Sequence, residues 1–503
     1  MTFRSHIAVV VALAAAANVA PAAPGPGPRD ALHRAVQAYN DGQYVRAAVE
    51  LHRIEEIVPG EEDRFEAQFY LGEALNRLGL GFSAFFQYAQ MVRAGPAHPY
   101  FLRAVEGAAN LAETWNDEVV GPNVLDKAYG DLFGRLPPEV LAKINASLAL
   151  LDYRAGRYRE AERLVGGVPE TSSAYPQARY LEGLLAQRGD PERAVQIFRG
   201  LLDRIGTRRD LSGLAELAHL ALGRTLYGLR RYREAAREYE ALPRFSRHWD
   251  EALFEGAYAY LQADAPGEAL GKLHGLHSPH LGGEFAPESE NLAAILYLQN
   301  CLYPQARAAL QRFETGYLPM RERVKALLEQ NPPLESLVLL LQPGATALPR
   351  PVQHHLRKNE RISSMLAYLE RLGEEEARIA RESELARSAL GSELLEQIGR
   401  QRLLVGQVAG KFINGRLADL AHLIDVLNGE KETIAFETAK GEKELLESKV
   451  DVRARLAAQT VERPAMPSTG HEYWPFDGEY WPDEIGRYKY TLKSACPAMR
   501  KEE

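Results

Sequence analysis

The stretch ALLDYRAGRYREAERLV, residues 149–165, and its counterpart GRTLYGLRRYREAAREY, residues 223–239, decide the fold. Each carries a small residue, Ala twelve positions later and an apolar residue four beyond that: Ala149/Ala161/Val165 in one, Gly223/Ala235/Tyr239 in the other. The triplet recurs at Gly72/Ala84/Tyr88, Ala257/Ala269/Leu273 and Ala294/Ala306/Leu310. Helix packing accounts for it. The small residue on a first helix admits a second, Ala on the second answers it, and the bulky side chain fills the remaining gap. Each such pair leaves an apolar face that only the next pair covers. The turns carry Asn40-Asp41-Gly42, Leu78-Gly79, Ala155-Gly156, Gly189-Asp190-Pro191 and Pro266-Gly267 at corresponding places. Gly permits left-handed closure there, and Pro starts the following helix.

Two of these segments, Gly156 to Ala161 (GRYREA) and Arg230 to Ala236 (RRYREAA), resemble tetratricopeptide repeats. The period agrees: Ala161, Ala194, Ala235, Ala269 and Ala306 are separated by 33, 41, 34 and 37 residues, scattering around the roughly 34 of that family. The resemblance implies an all-α chain, a tetratricopeptide-like (TPR-like) α-solenoid in which a superhelix of helix pairs holds a protein segment on its concave face. A first unit fits around Ala35/Ala47, and Gly183/Ala194 marks a unit with a turn one residue short. Residues 99–135 are helical in pattern but lack the triplet, so a degenerate or inserted pair is expected there within an array spanning 31–345.

Ahead of the array, Arg4 supplies a positive start, Ile7 to Ala17 is an unbroken apolar run, and Ala20-Pro21-Ala22 offers a cleavage site. This pattern reads as a secretory signal peptide over residues 1–22, followed by a Pro/Gly-rich linker over 23–30. The run is shorter than the roughly 20 apolar residues that span a bilayer, and no later segment supplies one. A periplasmic location without a transmembrane span is therefore expected, in association with the outer membrane or the cell wall. With 60 basic and 68 acidic residues the formal charge is -8, which suggests neither nucleic acid nor an anionic membrane as a partner.

Beyond a Pro-rich boundary near residue 345, positions 352–460 form a charged, proline-free helical stretch. Ile362, Met365, Leu369 and Leu372 keep heptad spacing until Glu376 interrupts it, a short seam that leaves dimerisation open. Leu417, Leu420, Ile424 and Leu427 resume an apolar stripe after Gly406, Gly410 and Gly415. The expectation is an arm of two long helices folded back through that Gly-rich bend, with Gly406 and Gly410 also allowing close packing.

The last segment, an aromatic-rich irregular tail over 461–503, contains EYWPFDGEYWPDE at 472–484 and states Glu-Tyr-Trp-Pro twice, seven residues apart. Tyr473, Trp474, Phe476, Tyr480 and Trp481 suit a peptide that docks in a partner's groove, or a platform that stacks on glycan rings. The alternative buries Trp474, Phe476 and Trp481 against the chain's own long helices, because so much apolar area in water is unfavourable. Cys301 and Cys496 are an even pair that can bridge in an oxidising compartment; otherwise Cys301 is a small buried residue on a repeat helix. His274, His277 and His280 stand at three-residue spacing, but with no carboxylate or Cys at fixed spacing a polar helix end is preferred to a metal site. His354-His355 are weaker still. No metal or cofactor is expected. Without a Gly-x-Ser-x-Gly elbow, phosphate loop, His-Glu-x-x-His or Cys-x-x-Cys, neither is catalysis.

Signal peptide, degenerate array, helical arm and this tail followed by Cys are together similar to envelope proteins of deltaproteobacteria, including those associated with adventurous gliding motility. That resemblance implies a protein–protein interaction scaffold whose partners are envelope proteins of an unidentified complex, with no catalytic residues. The competing reading is a cell-wall protein that recognises peptidoglycan through the tail.

Overall fold

The computed structural model describes residues 28–57, 60–118, 120–447, 472, 474, 476–492 and 494–496. The signal peptide, most of the linker and Tyr473 lie outside them. Among the described residues eight helix pairs run in order: α1 (Pro28–Asn40) with α2 (Tyr44–Ile57), α3 (Glu61–Arg77) with α4 (Gly81–Ala94), α5 (Phe101–Thr114) with α6 (Val120–Ala128), and α7 (Pro138–Arg154) with α8 (Tyr158–Gly166). Next come α9 (Tyr175–Ala186) with α10 (Pro191–Ile205), α11 (Ser212–Gly228) with α12 (Tyr232–Glu240), α13 (Trp249–Gln262) with α14 (Pro266–Leu276), and α15 (Glu288–Gln299) with α16 (Tyr303–Glu329). A 3-10 segment, Leu334–Leu341, leads to α17 (Arg350–Lys358), α18 (Glu360–Arg381), a single turn α19 (Ser383–Ala386) and the long α20 (Ala389–Glu447). No strand occurs among the described residues. The chain is an all-α, TPR-like solenoid followed by a helical hairpin and an irregular tail.

The triplet packs as its chemistry requires. A Cβ on Gly72 of α3 would stand 3.1 Å from the Tyr88 ring of α4, and one on Gly107 of α5 would stand 2.7 Å from the opposite edge of the same ring. One aromatic ring thus fills the space between a pair and its successor, and only glycine leaves room for it. The Tyr88 hydroxyl donates to Glu73 at 2.6 Å, so its burial strands no polar atom. Tyr239 meets Gly223 in the same way, 2.6 Å from a Cβ there, and Phe198 meets Gly183 in the pair with the short turn. The triplet's second Ala (Ala84, Ala161, Ala235, Ala269, Ala306) is fully buried in every pair that has one.

Within residues 99–135, where the triplet is missing, lie the helices α5 and α6. Asp117 closes the start of α6 by accepting from the backbone N–H of Val120 at 2.8 Å and Gly121 at 2.7 Å.

The arm turns at a different place from the one the glycines suggest. The bend lies at Glu382–Ser388, and α20 runs unbroken through Gly406, Gly410 and Gly415. Ser388 starts α20, its hydroxyl accepting from the Gly391 N–H at 3.0 Å, and Gly391 is needed because a Cβ would run into the Leu385 carbonyl. Gly406 and Gly410 instead admit the 3-10 segment: a Cβ on Gly406 would be 3.3 Å from Glu335, and one on Gly410 would collide with the Leu334 backbone. Small residues on a helix permit close approach as readily as they permit bending, and here approach wins.

This hairpin is built into the array. Ile362, Met365, Leu372, Ile379, Leu394, Ile398, Ile413 and Leu417 share one buried core with Leu71, Phe82 and Ala104. The carboxylate of Glu375 accepts from the N–H groups of Phe82 and Ser83 at 2.8 and 2.9 Å and from the Ser83 hydroxyl at 2.6 Å, capping α4 from another helix. Burial pushes its pKa up, against the pull of those donors. Farther along, Lys358 pairs with Asp250 at 2.7 Å and Glu284 at 2.6 Å, and Asn291 donates to the Leu427 carbonyl at 2.9 Å. Helix α20 starts beside α2, where His52 lies 3.5 Å from Glu393, and finishes beside α16, where Arg307 pairs with Glu442. One helix therefore ties the first pair of the array to the last.

Candidate docking surface at the tail

After a turn that ends at Gly486 and Arg487, residues 488–490 run along α14. Three glycines at four-residue spacing, Gly267, Gly271 and Gly275, face the turn and this stretch: a Cβ on Gly267 would be 2.5 Å from the Tyr490 carbonyl oxygen, one on Gly271 would collide with the Tyr488 carbonyl, and one on Gly275 would be 3.1 Å from the Gly486 nitrogen. The match has a geometric cause. Four residues of helix advance about 6 Å, and two residues of extended chain advance about 6.6 Å, so the step from Tyr488 to Tyr490 matches the step from Gly271 back to Gly267, in antiparallel order.

Polar contacts fix that register. The Tyr490 N–H donates to the Gly267 carbonyl at 2.9 Å, Lys272 donates to the Gly486 carbonyl at 2.6 Å, and Lys489 pairs with Glu268 at 2.7 Å. Lys272 is also 2.6 Å from Glu240, so its buried ammonium is paired. Gly486 adopts φ +85° and lies against the Trp249 ring, a place for glycine on both counts. Ile485 is the tail's one fully buried side chain among the described residues. Past it, the Ala495 N–H donates to the Asn300 carbonyl at 2.9 Å, and Cys496 is disulfide-bonded to Cys301, with the Sγ atoms 2.09 Å apart. Cys301 sits in the turn between α15 and α16 at φ +55°, outside either helix.

The aromatic residues divide. Tyr480 stacks on His274 with ring centroids 4.8 Å apart, and Phe476 and Tyr488 meet the same imidazole edge-on at 4.5 and 5.0 Å. Trp474 and Trp481 pair with centroids 4.7 Å apart. Yet Trp474, Phe476 and Trp481 keep 56%, 53% and 45% of their surface in water. Burial of these three against the long helices is thus not what the chain does. Its tail seats on α14 through backbone and Ile485, and the indoles are left on the outside.

The three histidines of α14 and its following turn are engaged with protein. His274 is enclosed by rings, and burial, with His277 adding to it, pushes its pKa down to about 4. His277 Nε2 donates to the Ser289 hydroxyl at 2.8 Å, since that hydroxyl spends its own proton on the Ala286 carbonyl; burial lowers the His277 pKa as well. His280 reaches the Tyr480 carbonyl at 3.4 Å. Of the adjacent pair, His354 is 3.5 Å from Glu284 and His355 packs beside Phe285. Among the described residues no three His, Cys, Asp or Glu side chains converge as a metal site, and no helix is long and apolar enough to cross a membrane.

The tail was legible in the sequence and its seat on α14 was not. Gly267 was legible only as a turn residue, although Gly267, Gly271 and Gly275 one helical turn apart are the signal of a face cleared for close approach.

No protein-family model and no curated protein matches this sequence. Among solved structures, the yeast Tom70 crystal structure aligns over 86% of this chain and 92% of its own at 12% identity and TM-score 0.29. A Rap protein complexed with Competence and Sporulation Factor aligns over 75% of this chain and 99% of its own at 11% identity and TM-score 0.25.

Proposed function

We propose that this chain is a non-enzymatic protein–protein interaction scaffold, exported to the periplasm, that organises an envelope complex of the gliding-motility machinery. The observation that carries this reading is the Cys301–Cys496 bond, which pins an outward-facing aromatic tail to a rigid repeat array. Disulfides persist in oxidising compartments, which agrees with the signal-peptide pattern at the amino terminus. Half-exposed Trp474, Phe476 and Trp481 supply the rigid aromatic contact area that protein interfaces favour. Crosslinking in intact envelopes, with partners identified by mass spectrometry, tests the scaffold. The expected result is a small recurrent set of envelope proteins whose yield falls in the Trp474→Ala/Trp481→Ala variant. A chain that crosslinks to nothing and sediments alone sinks the proposal.

The paired indoles also suit a second reading, stacking on the sugar rings of peptidoglycan. Retention on purified sacculi that drops in the same double variant supports it; equal retention of variant and parent removes it.

A further inference from the structure

Beside the third pair lies a space that the described residues do not fill. Between α4, α5 and α6 on one side and the hairpin helices α18 and α20 on the other lies a cavity of about 650 Å³, within the roughly 300–1,000 Å³ of small-molecule sites. Its walls are apolar: Val92, Phe101 and Val124 from the array, Met365, Leu404 and Val405 from the hairpin. Leu404 is 56% exposed at its open side. The third pair lacks the triplet, and with it the bulky residue that fills the gap between helices elsewhere.

The polar lining is asymmetric. Asp117 is committed to the α6 amides, Ser364 donates to the Asn116 carbonyl at 3.0 Å, and Gln401 donates to the Tyr368 hydroxyl at 3.4 Å. Arg93 and Lys127 also line the cavity, and among the described residues neither forms a salt bridge. Both are exposed. An apolar chamber with two uncommitted cations at its water-facing side is complementary to a long chain ending in an anion.

We propose that this cavity binds a single-chain anionic amphiphile, a fatty acid, with its chain against Val92, Phe101, Met365 and Val405 and its carboxylate at Arg93 and Lys127. An arginine fork recognises carboxylate in two-point geometry, and a chain bridging α5–α6 and α18–α20 stabilises the seam it occupies.

The test uses the full chain and displacement of a dansyl-labelled undecanoate by palmitate below its micellar concentration. Wild type should bind one equivalent saturably and unfold at higher temperature with palmitate present. Arg93→Glu/Lys127→Glu should weaken binding at least about tenfold, the equivalent of one lost charge-assisted contact. Val124→Trp, which fills the chamber, should abolish binding; its far-ultraviolet circular dichroism and unfolding midpoint show whether it is folded, and Val405→Phe serves if it is not. Hexadecanol binding as tightly as palmitate, or hexadecyltrimethylammonium binding more tightly, overturns the assignment of the head-group site. Palmitate that fails to displace the probe, or that binds the filled variant equally well, overturns the whole proposal.

Discussion

The hairpin and the tail lie on the same array and are held by opposite means. The hairpin inserts Ile362, Met365, Leu372 and Ile379 from α18, and Leu394, Ile398, Ile413 and Leu417 from α20, into the core of the repeats. Among its described residues the tail commits one fully buried side chain, Ile485, and otherwise lays its backbone on a glycine face, with Lys272 and a disulfide as fasteners. Apolar burial is proportional to area and tolerates no half measures: pulling the hairpin away exposes much of the core at once. A backbone seat with few buried side chains opens locally at little expense to the remainder. The hairpin is therefore part of the fold, and the tail is a strap that can leave while the fold stays.

Shrinking a hairpin core residue should have the largest effect. Ile413 has no exposed surface, and Ile413→Ala should cost about 2–5 kcal/mol, read as a lower urea midpoint for the loss of helical signal. A midpoint within error of the parent would mean that the hairpin is an appendage, and the contrast with the tail would collapse.

That contrast was only half legible in the sequence. The pairs were readable because their packing is local and periodic: Gly223 and Tyr239 meet across one turn, so a fixed spacing records the contact. The existence of a hairpin was readable from two apolar stripes. Its bend was not, because Glu382 to Ser388 contains neither Gly nor Pro; the signal was Ser388, a helix-starting residue, placed just before Ala389. Gly406 and Gly410 misled because glycine marks both bends and close contacts, and only the position of Leu334 in space decides between them. Glu375 was equally opaque. It sits beside the interrupted heptad as an ordinary charged residue, and its role as the cap of α4 depends on a contact 292 residues away in sequence. Two cysteines 195 residues apart carry no pairing code of their own.

Adding a side chain to the tail's seat should give an intermediate effect of a different kind. Gly271→Val places branched atoms where the Tyr488 carbonyl now lies, so the strap should lift from α14 with the disulfide intact. Limited proteolysis with mass mapping should show new cleavage within 484–492, while the urea midpoint moves less than in Ile413→Ala. Cys496→Ser should expose the same bonds to protease, because it removes a link that closes 195 residues of chain. If either variant unfolds the array as severely as the Ile413 substitution, the tail is structural in the same sense as the hairpin.

The smallest effect should come from protons. His274 lies among Phe476, Tyr480 and Tyr488 with its pKa pushed down from the ordinary 6.5 to about 4. Once the tail lifts, the imidazole regains its usual affinity for protons, so the released state binds more of them between those two values. Docking is then unaffected above about pH 6.5 and weakens as pH falls from there towards about 4, where both states are protonated alike. His274→Phe keeps a ring in the stack and removes its titration. Tail cleavage by an acid-active protease at about pH 4.5, relative to protection at pH 7, should rise more in the parent than in this variant. A variant whose protection falls as steeply as the parent's would show that the strap is held by the glycine face and Lys272 alone, and that the aromatic cluster around His274 closes over the seat without fastening it.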